Sequence, residues 1–391
     1  MKIQSIRLKN FKAFKDVHLK NLPDFCVFVG ANGTGKSTIF SVFEFLQTAM
    51  SQNINNALTK LGGPKGFQEV RTRNSTGPIE IEIQYKIDNK PPLITYQLII
   101  NELNGKAYVE KELLKYRRGQ GGKPWHFLEF EKGEGSAITN EATTQIKEKR
   151  EKQKLKSPDI LAIKGLAQFE KFPAVVTLGN LIENWHLSDI HVDKARIENT
   201  LDGAEHLSRD GSNLATVLLY LKKLHPEIFE KILNQLKHRI PGISTIETKT
   251  TEEGKVLLKF QDGAFEDPFL ARFVSDGTIK MLSYLVLLYD PKPHPLLCVE
   301  EPENQLYNTL LTELAEEFRL YSMHGGQVFV SSHSPDFLNA LKLEEVFWLS
   351  KKDGSTKILR ASEDEQIKQY VKMGDKLGAL WRQGFFTGAT P

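Results

Sequence analysis

The residues between Gly30 and Ser37 have the types and spacing that bind a phosphate chain. Gly30, Gly35, Lys36 and Ser37 satisfy the pattern G-x-x-x-x-G-K-[ST]. The glycines let backbone N–H groups turn toward a β-phosphate, and the start of a following helix adds positive potential. Lys36 is predicted to pair with the β- and γ-phosphates, and Ser37 to place its hydroxyl on Mg²⁺. The predicted ATP-binding residues are Gly30, Asn32, Gly33, Thr34, Gly35, Lys36, Ser37 and Thr38.

Two carboxylates follow an apolar run near residue 300. Leu296–Val299 predicts a buried strand that ends at Glu300 and Glu301. Buried carboxylates are costly without a cation, so Glu300 is predicted to hold Mg²⁺, directly or through water. Glu301 is predicted to orient and polarise an attacking water. In phosphate-loop proteins the residue at the position of Glu300 is usually Asp, so Glu300 departs from that pattern. The alternative, two surface carboxylates without a role, is disfavoured by the apolar strand before them.

Two further stretches carry candidate site residues. His333 follows an apolar strand and two serines, where its ring could hydrogen-bond a γ-phosphate or the catalytic water. A lone histidine is more often structural, but this one follows the next strand after the carboxylates. Ser275 and Gly277 begin an apolar helix, and such a helix start attracts anions. It lies well before Glu300 in the chain, so it is not expected to serve the phosphate loop of its own subunit.

The elements that position these residues are predicted from periodicity. "FCVFVG" predicts a buried strand before the phosphate loop, and "STIFSVFEFLQTAM" a helix after it. Alternating runs over residues 79–135 predict an antiparallel sheet. Residues 141–156 are polar, basic and helix-prone, which indicates a solvated helix or mobile insertion, or a contact for DNA or a partner. Later predicted elements are helices at "SNLATVLLYLKKL", "EIFEKILNQLKHRI", 277–289, 306–321 and 335–342, and strands at 296–300, 327–332 and 345–349.

Composition excludes several classes of protein. The net charge of +3 over 391 residues gives little whole-chain attraction for nucleic acid. Cys26 and Cys298 lie in apolar runs without Cys-x-x-Cys spacing, so we expect neither a disulfide nor a structural zinc site. The first residues do not form a signal peptide, and no apolar stretch is long enough to cross a membrane. A cytoplasmic protein is expected.

The order of these motifs resembles the ABC ATPase superfamily. "IQSIRLKNFKAFKD", "GANGTGKST", "SRDGSNLATVL", "VSDGT", "VEEPENQL" and "VSSHSP" are together similar to stand-alone ATPases of its RecF/SMC branch. The resemblance implies an α/β fold, an ABC-type phosphate-loop ATPase head with an antiparallel β subdomain and an inserted helical region. The expected units are residues 1–78 and 205–391 for the two parts of the head, 79–135 for the β subdomain and 136–204 for a helical, basic insertion.

The resemblance also implies how such a head works. Ser275 and Gly277 of one head would cap the nucleotide of another, so we expect a homodimer or a higher even-numbered oligomer. ATP and Mg²⁺ would be bound, Glu301 and His333 would be catalytic, and hydrolysis would be slow. Members of the family often have His-Pro directly after the acidic motif. In this chain Tyr307 and Asn308 follow Leu306, which departs from that pattern. Gln68 and Gln168 are alternatives for a glutamine that senses Mg²⁺.

Two roles remain open at this stage. In the first, the chain is a regulatory ATPase of anti-phage defence that controls an effector, a nuclease or toxin encoded nearby. In the second, it is a RecF-type DNA-repair ATPase that binds DNA ends or gaps directly. The near-neutral charge favours the first. The C-terminal "DKLGALWRQGFF" either packs on the chain's own core or forms an aromatic docking site for a partner.

Overall fold

The computed structural model describes residues 2–87, 90–117, 123–140, 149–200, 203–352 and 354–389. The strands in chain order are β1 (Lys2–Phe11), β2 (Phe14–Lys20), β3 (Phe25–Val29), β4 (Ile79–Ile87), β5 (Lys90–Leu103), β6 (Lys106–Tyr116), β7 (Trp125–Glu131), β8 (Glu134–Ile138), β9 (Arg150–Lys154), β10 (His186–Ser188), β11 (Asn199–Thr200), β12 (Ile243–Thr250), β13 (Lys255–Asp262), β14 (Phe269–Leu270), β15 (Leu297–Glu300), β16 (Val328–Ser332), β17 (Val346–Lys352) and β18 (Ser355–Arg360).

The helices lie mainly around the phosphate loop and in the second half of the chain. They are α1 (Lys36–Ser51), α2 (Ile54–Gly62), α3 (Phe67–Val70), α4 (Ala162–Leu166), α5 (Pro173–Glu183), α6 (Val192–Ala195), α7 (Leu214–Leu224), α8 (Pro226–Arg239), α9 (Asp276–Leu288), α10 (Asn308–Met323), α11 (Pro335–Leu338), α12 (Glu365–Lys372) and α13 (Leu377–Arg382). Within the described ranges, no helix has both the length and the apolar character needed to cross a membrane.

A six-stranded sheet, here called the central sheet, positions the predicted site residues. Its strand order is β10-β15-β16-β3-β17-β18, and neighbours are parallel except for the pair β17–β18. The carboxyl ends of parallel strands lie at one edge of a sheet. The residues directly after β3, β15 and β16 therefore meet, although long stretches of chain separate them.

The central sheet is buried on both faces, as parallel sheets usually are. In β3, Cys26 and Phe28 face a core that includes α1 and part of the antiparallel sheet. Phe25, Val27 and Val29 alternate to the other face, where they pack with the helices of the C-terminal half. The Phe28 ring meets Phe329 edge-on at 5.7 Å between ring centroids. This two-sided burial explains why the strand is a continuous apolar run.

The larger sheet has eight antiparallel strands in the order β2-β1-β4-β5-β6-β7-β8-β9. The alternating runs of 79–135 do form antiparallel strands, and β1 and β2 extend their sheet from before the phosphate loop. For residues 141–156 a solvated helix or a mobile insertion was predicted, but residues 150–154 form β9, which pairs with β8 at the sheet edge. Residues 141–148 lie outside the described residues. The division into units at residues 78, 135 and 204 stays a prediction.

The other predicted elements are largely present in the second half of the chain. Helices α7 to α10 and strands β15 to β17 lie where periodicity predicted them, while α11 is shorter than expected. The small sheet formed by β11 to β14 had no counterpart among the predictions. The C-terminal aromatic segment packs inward: Leu380, Trp381 and Phe386 are all buried, and Phe386 meets Trp348 edge-on. It is therefore part of the core rather than an exposed docking site.

Candidate nucleotide site

The predicted phosphate loop lies between β3 and α1, as its motif requires. Gly33 and Gly35 have positive φ angles of 78° and 102°, which glycine adopts readily. A Cβ atom at Gly30 would meet Thr34 Oγ1 at 2.5 Å, so a larger residue there would force the loop to shift. Asn32 and Gly33 are exposed at the rim, and the Thr34 hydroxyl donates to Ala31 O at 2.8 Å.

The Lys36 ammonium lies inside the loop. Its side chain is only 5% exposed, and Nζ donates to Gly30 O at 2.7 Å. Burial lowers the pKa of Lys36, while Glu301 and Glu303 oppose that shift. Nζ lies 3.8 Å from Glu301 Oε1. The cation predicted from the motif therefore faces the carboxylates predicted from a distant strand.

Ser37 and Glu300 are brought together by the same edge of the sheet. Burial raises the pKa of Glu300, and a hydrogen bond with the Ser37 side chain opposes the rise. The nearby carboxylates Asp189 and Glu301 raise this pKa further. Arg209 lies 3.7 Å from Glu300 Oε1 and offsets part of the negative charge.

These oxygen donors fit a bound Mg²⁺. A serine hydroxyl and a carboxylate are hard ligands of the kind that Mg²⁺ prefers beside substrate phosphates. Glu300, Glu301 and Asp189 also line a cavity of about 440 Å³ that reaches solvent. A divalent cation would favour the charged form of Glu300, whose pKa is raised by burial and by the neighbouring carboxylates. Ser37 and Glu300 are the residues that would hold it.

The side chains of Glu301 and His333 lie beside each other directly after β15 and β16. His333 Nδ1 lies 3.3 Å from Glu301 Oε1, and Asn304 Nδ2 donates to Glu301 Oε2 at 3.1 Å. The Glu301 N–H donates to Ser331 O at 2.9 Å, which anchors the turn to β16. Glu301 has a φ of 41°, an uncommon value for a residue with a side chain. The turn directs its carboxylate toward Lys36 and His333.

Glu303 is a site residue that the sequence interpretation missed. Its Oε1 accepts hydrogen bonds from Ser332 Oγ and from the His333 N–H, both at 2.8 Å. It is 9% exposed, and its Oε2 has no hydrogen-bond partner among the described residues. Glu303 thus fixes the backbone that carries His333. The only signal in the sequence was a third carboxylate two positions after Glu301.

Two basic residues were also missed. Arg209 Nη1 donates to Glu44 Oε1 at 2.9 Å, and this places its guanidinium beside Glu300. The Lys12 ammonium donates to Ser41 Oγ at 3.3 Å, one turn of α1 beyond Ser37. Burial lowers the pKa of Lys12, and the charges of Glu44 and Glu300 oppose that shift. "SRDGSN" and "NFKAF" are the stretches that carry these two residues.

The helix start at Ser275 and Gly277 lies beside the turn that follows β15. Ser275 caps α9: its Oγ lies 2.8 Å from Thr278 Oγ1 and accepts from the Thr278 N–H. Gly277 faces Gln305 O and the Tyr307 ring, which a Cβ would approach at 3.3 Å and 3.6 Å. Across the described residues, no hydrogen bond joins Ser275 to the phosphate loop. That Ser275 and Gly277 serve the nucleotide of another subunit stays a prediction.

The two glutamine candidates are not brought to the site. Gln68 in α3 and Gln168 after α4 are both exposed. Neither donates to or accepts from Ser37, Glu300 or Glu301 in the described part of the chain. The assignment of a Mg²⁺-sensing glutamine stays a prediction.

Comparison with known proteins agrees with this architecture. The model of the family described as "AAA domain, putative AbiEii toxin, Type IV TA system" matches residues 25–339. A solved structure described as an SmcHead bound to the C-winged helix domain of ScpA has a TM-score of 0.58 and 14% identity, and the alignment covers 92% of this chain and 98% of that one. The SMC head domain from Thermotoga maritima gives a TM-score of 0.48 at 12% identity over 92% of this chain and 99% of that one. No curated protein matches the chain.

Proposed function

We propose, from the premise that this chain belongs to the AAA-domain family of the AbiEii type, that it binds and slowly hydrolyses ATP as a dimerising switch. Its fold is that of an SMC-like ABC ATPase head. The observation that carries the proposal is the convergence of Lys36, Ser37, Glu300, Glu301 and His333 at one edge of the central sheet.

Nucleotide binding would use the phosphate loop as a preformed cradle. Lys36 would exchange its hydrogen bond to Gly30 O for oxygens of the β- and γ-phosphates. The backbone N–H groups of residues 33–37 and the start of α1 would face the same negative charge. Mg²⁺, when bound by Ser37 and Glu300, supplies positive charge to the phosphate oxygens.

Hydrolysis would depend on the Glu301–His333 pair. A water oxygen attacks the γ-phosphorus, the bond to the bridging oxygen of ADP breaks, and Glu301 takes the proton that the water loses. His333 would hold the Glu301 carboxylate and the γ-phosphate in place relative to each other. The backbone of His333 is itself held by Glu303. The products are ADP and inorganic phosphate.

A second copy of the chain would complete each site. Ser275 and Gly277 lie outside the phosphate loop of their own subunit, at the start of α9. Two aromatic side chains beside this helix start, Phe273 and Tyr307, are each 69% exposed. Exposed aromatics beside an anion-binding helix start are suited to an interface that closes on a nucleotide. Two half-sites that share γ-phosphates would couple association to ATP binding.

Ser275→Arg tests this arrangement. The substitution places a bulky cation where the partner's γ-phosphate would lie, so ATP-dependent association and hydrolysis should both be lost. Binding of ATP to the single subunit should remain, because its own phosphate loop is untouched. Light scattering with and without ATP, together with phosphate release, measures both effects.

Mixing supplies the control for that experiment. Ser275→Arg mixed with Lys36→Ala forms one composite site with an intact loop and an intact helix start, so ATP-dependent association should return in part. Light scattering of the mixture is needed because strict coupling between sites could mask rescue of turnover. Full ATPase activity in a strictly monomeric Ser275→Arg sample would contradict the trans role of α9.

We propose that this ATP-dependent switch controls an effector, a nuclease or toxin, in anti-phage defence. The AbiEii description of the family supports this role. The test is to purify the chain from its native host and identify the protein that accompanies it. That protein's activity is then compared with wild-type chain and with Glu301→Gln, and a difference is expected. Salt-sensitive DNA binding by the chain alone, with no accompanying protein, would instead favour the DNA-repair role.

A further inference from the structure

A cluster of histidines lies at the end of the central sheet opposite the phosphate loop. His186 begins β10, and its N–H donates to Leu296 O at 2.9 Å, just before β15 starts. The His186 ring stacks on His294 at 4.7 Å between centroids. His206 lies 5.1 Å from His294, and Asp290 lies beside it. The nucleotide site uses none of these side chains.

Three of these residues have the spacing of metal ligands. One ligand atom each from His206, Asp290 and His294 can be chosen so that all three lie within 4.8 Å of one another. His206 Nδ1 and Asp290 Oδ2 are already 2.7 Å apart. Ligands at about 2.1 Å from a tetrahedral ion are about 3.4 Å from one another. Small side-chain rotations would therefore bring the three atoms into one coordination sphere.

The orientation of His294 leaves a ring nitrogen free for a ligand. Its Nδ1 lies 3.1 Å from Asn184 O and can donate to that carbonyl, which leaves the lone pair on Nε2. Nε2 of His294 and Nε2 of His186 are both buried without a hydrogen-bond partner among the described residues. His186 itself is only 8% exposed. Unsatisfied buried polar atoms cost about 1–3 kcal/mol each, and a metal ion would satisfy the His294 atom.

The carboxylate is held in place beside the imidazoles. The Asp290 side chain is 4% exposed, and its Oδ1 accepts from the Lys292 N–H at 2.8 Å. The remaining oxygen faces His206. A fixed carboxylate oxygen beside imidazole nitrogens is a suitable ligand for a transition-metal ion.

We propose that His206, Asp290 and His294 bind one divalent transition-metal ion such as Zn²⁺. Two imidazoles and one carboxylate favour such a metal over Mg²⁺, which prefers oxygen ligands only. A cavity of about 360 Å³ lined by His206, Lys292 and His294 gives access from solvent and room for a water as a further ligand. The expectation of no structural zinc site rested on cysteine spacing, and this ligand set contains no cysteine.

The ion would join two segments that flank the nucleotide site. Asp290 and His294 follow α9, the helix that Ser275 caps. His206 lies in the segment that leads to Arg209, the side chain beside Glu300. A metal at this point would therefore fix the end of α9 to the segment that positions Arg209.

Titration of the full chain with Zn²⁺ in the absence of nucleotide tests the site. Calorimetry should show one tight site per chain in the wild type. His294→Ala and His206→Ala should each weaken this binding by at least about a hundredfold, since each removes a direct ligand. His206 is 40% exposed in its side chain, so its variant is expected to keep the fold. His238→Ala removes an exposed histidine of α8 and should leave binding unchanged.

Two further measurements separate this site from the phosphate loop. Glu300→Gln should bind Zn²⁺ as the wild type does, because the carboxylates near Ser37 are not ligands of this ion. Zn²⁺ should raise the Tm of the wild type and of Glu300→Gln, but not that of His206→Ala. Absence of stoichiometric binding, equal binding by all histidine variants, or loss of binding in Glu300→Gln would each overturn the proposal.

Discussion

Glu301→Gln should bind ATP as the wild type does and lose at least about a hundredfold in the rate of hydrolysis. The amide keeps the shape of the side chain and can retain contacts to Asn304 and His333, so the turn after β15 should persist. It cannot take the proton of the attacking water. A hundredfold loss corresponds to about 2.7 kcal/mol of transition-state stabilisation.

The same variant should also accumulate as an ATP-bound dimer, because the step that opens the interface is blocked. Phosphate release and light scattering with ATP measure the two effects in one sample. Glu316→Gln makes the same chemical change on an exposed position of α10 and serves as the matched control. Hydrolysis at the wild-type rate by Glu301→Gln would show that Glu301 is not the base.

Lys36→Ala should weaken ATP binding by roughly a hundredfold or more, which corresponds to about 2.7 kcal/mol of binding free energy. The lost group is a buried ammonium inside the loop, and charge-assisted hydrogen bonds to phosphate are among the stronger polar contacts. Gly30 O loses a hydrogen bond from Lys36, so the thermal unfolding of the variant should be measured alongside its binding.

Calorimetry in the Glu301→Gln background measures this affinity without turnover. Lys351→Ala is the matched control, because its ammonium contacts Gly33 O at 3.4 Å from the exposed side of the same loop. It should change ATP affinity far less than Lys36→Ala. Unchanged affinity in a folded Lys36→Ala sample would refute the phosphate-loop assignment.

The parts of the site that end a buried strand could be predicted from the sequence. Apolar runs before Gly30, Glu300 and Ser331 indicate strands, and the carboxyl ends of parallel strands share one edge of the sheet. The order of strands within the sheet could not be predicted, because periodicity carries no information on which strands are neighbours. The central strand β3 lies between β16 and β17, and only the structure shows this.

The parts that depend on turn geometry could not be predicted. Glu303 reaches Ser332 because the chain reverses at Glu301, which has a positive φ angle. Since no glycine occurs at this position, the sequence does not indicate the reversal. Lys12 lies in the tight turn between β1 and β2, and both Lys12 and Asn10, near the end of β1, have positive φ angles. A positive φ angle at a residue other than glycine cannot be recognised from the pattern of apolar and polar positions.

The place of β3 in the central sheet has a consequence for synthesis on the ribosome. Its five residues are fully apolar, and both of its neighbours, which begin at Val328 and Val346, are made long after it. At about 5–20 residues per second, the delay is roughly 15–60 s. During that time the nascent chain presents an uncovered β-prone segment next to an unfinished phosphate loop. Chaperone binding to the segment around β3 is therefore expected during translation, and the nucleotide site can form only after β16 has been made.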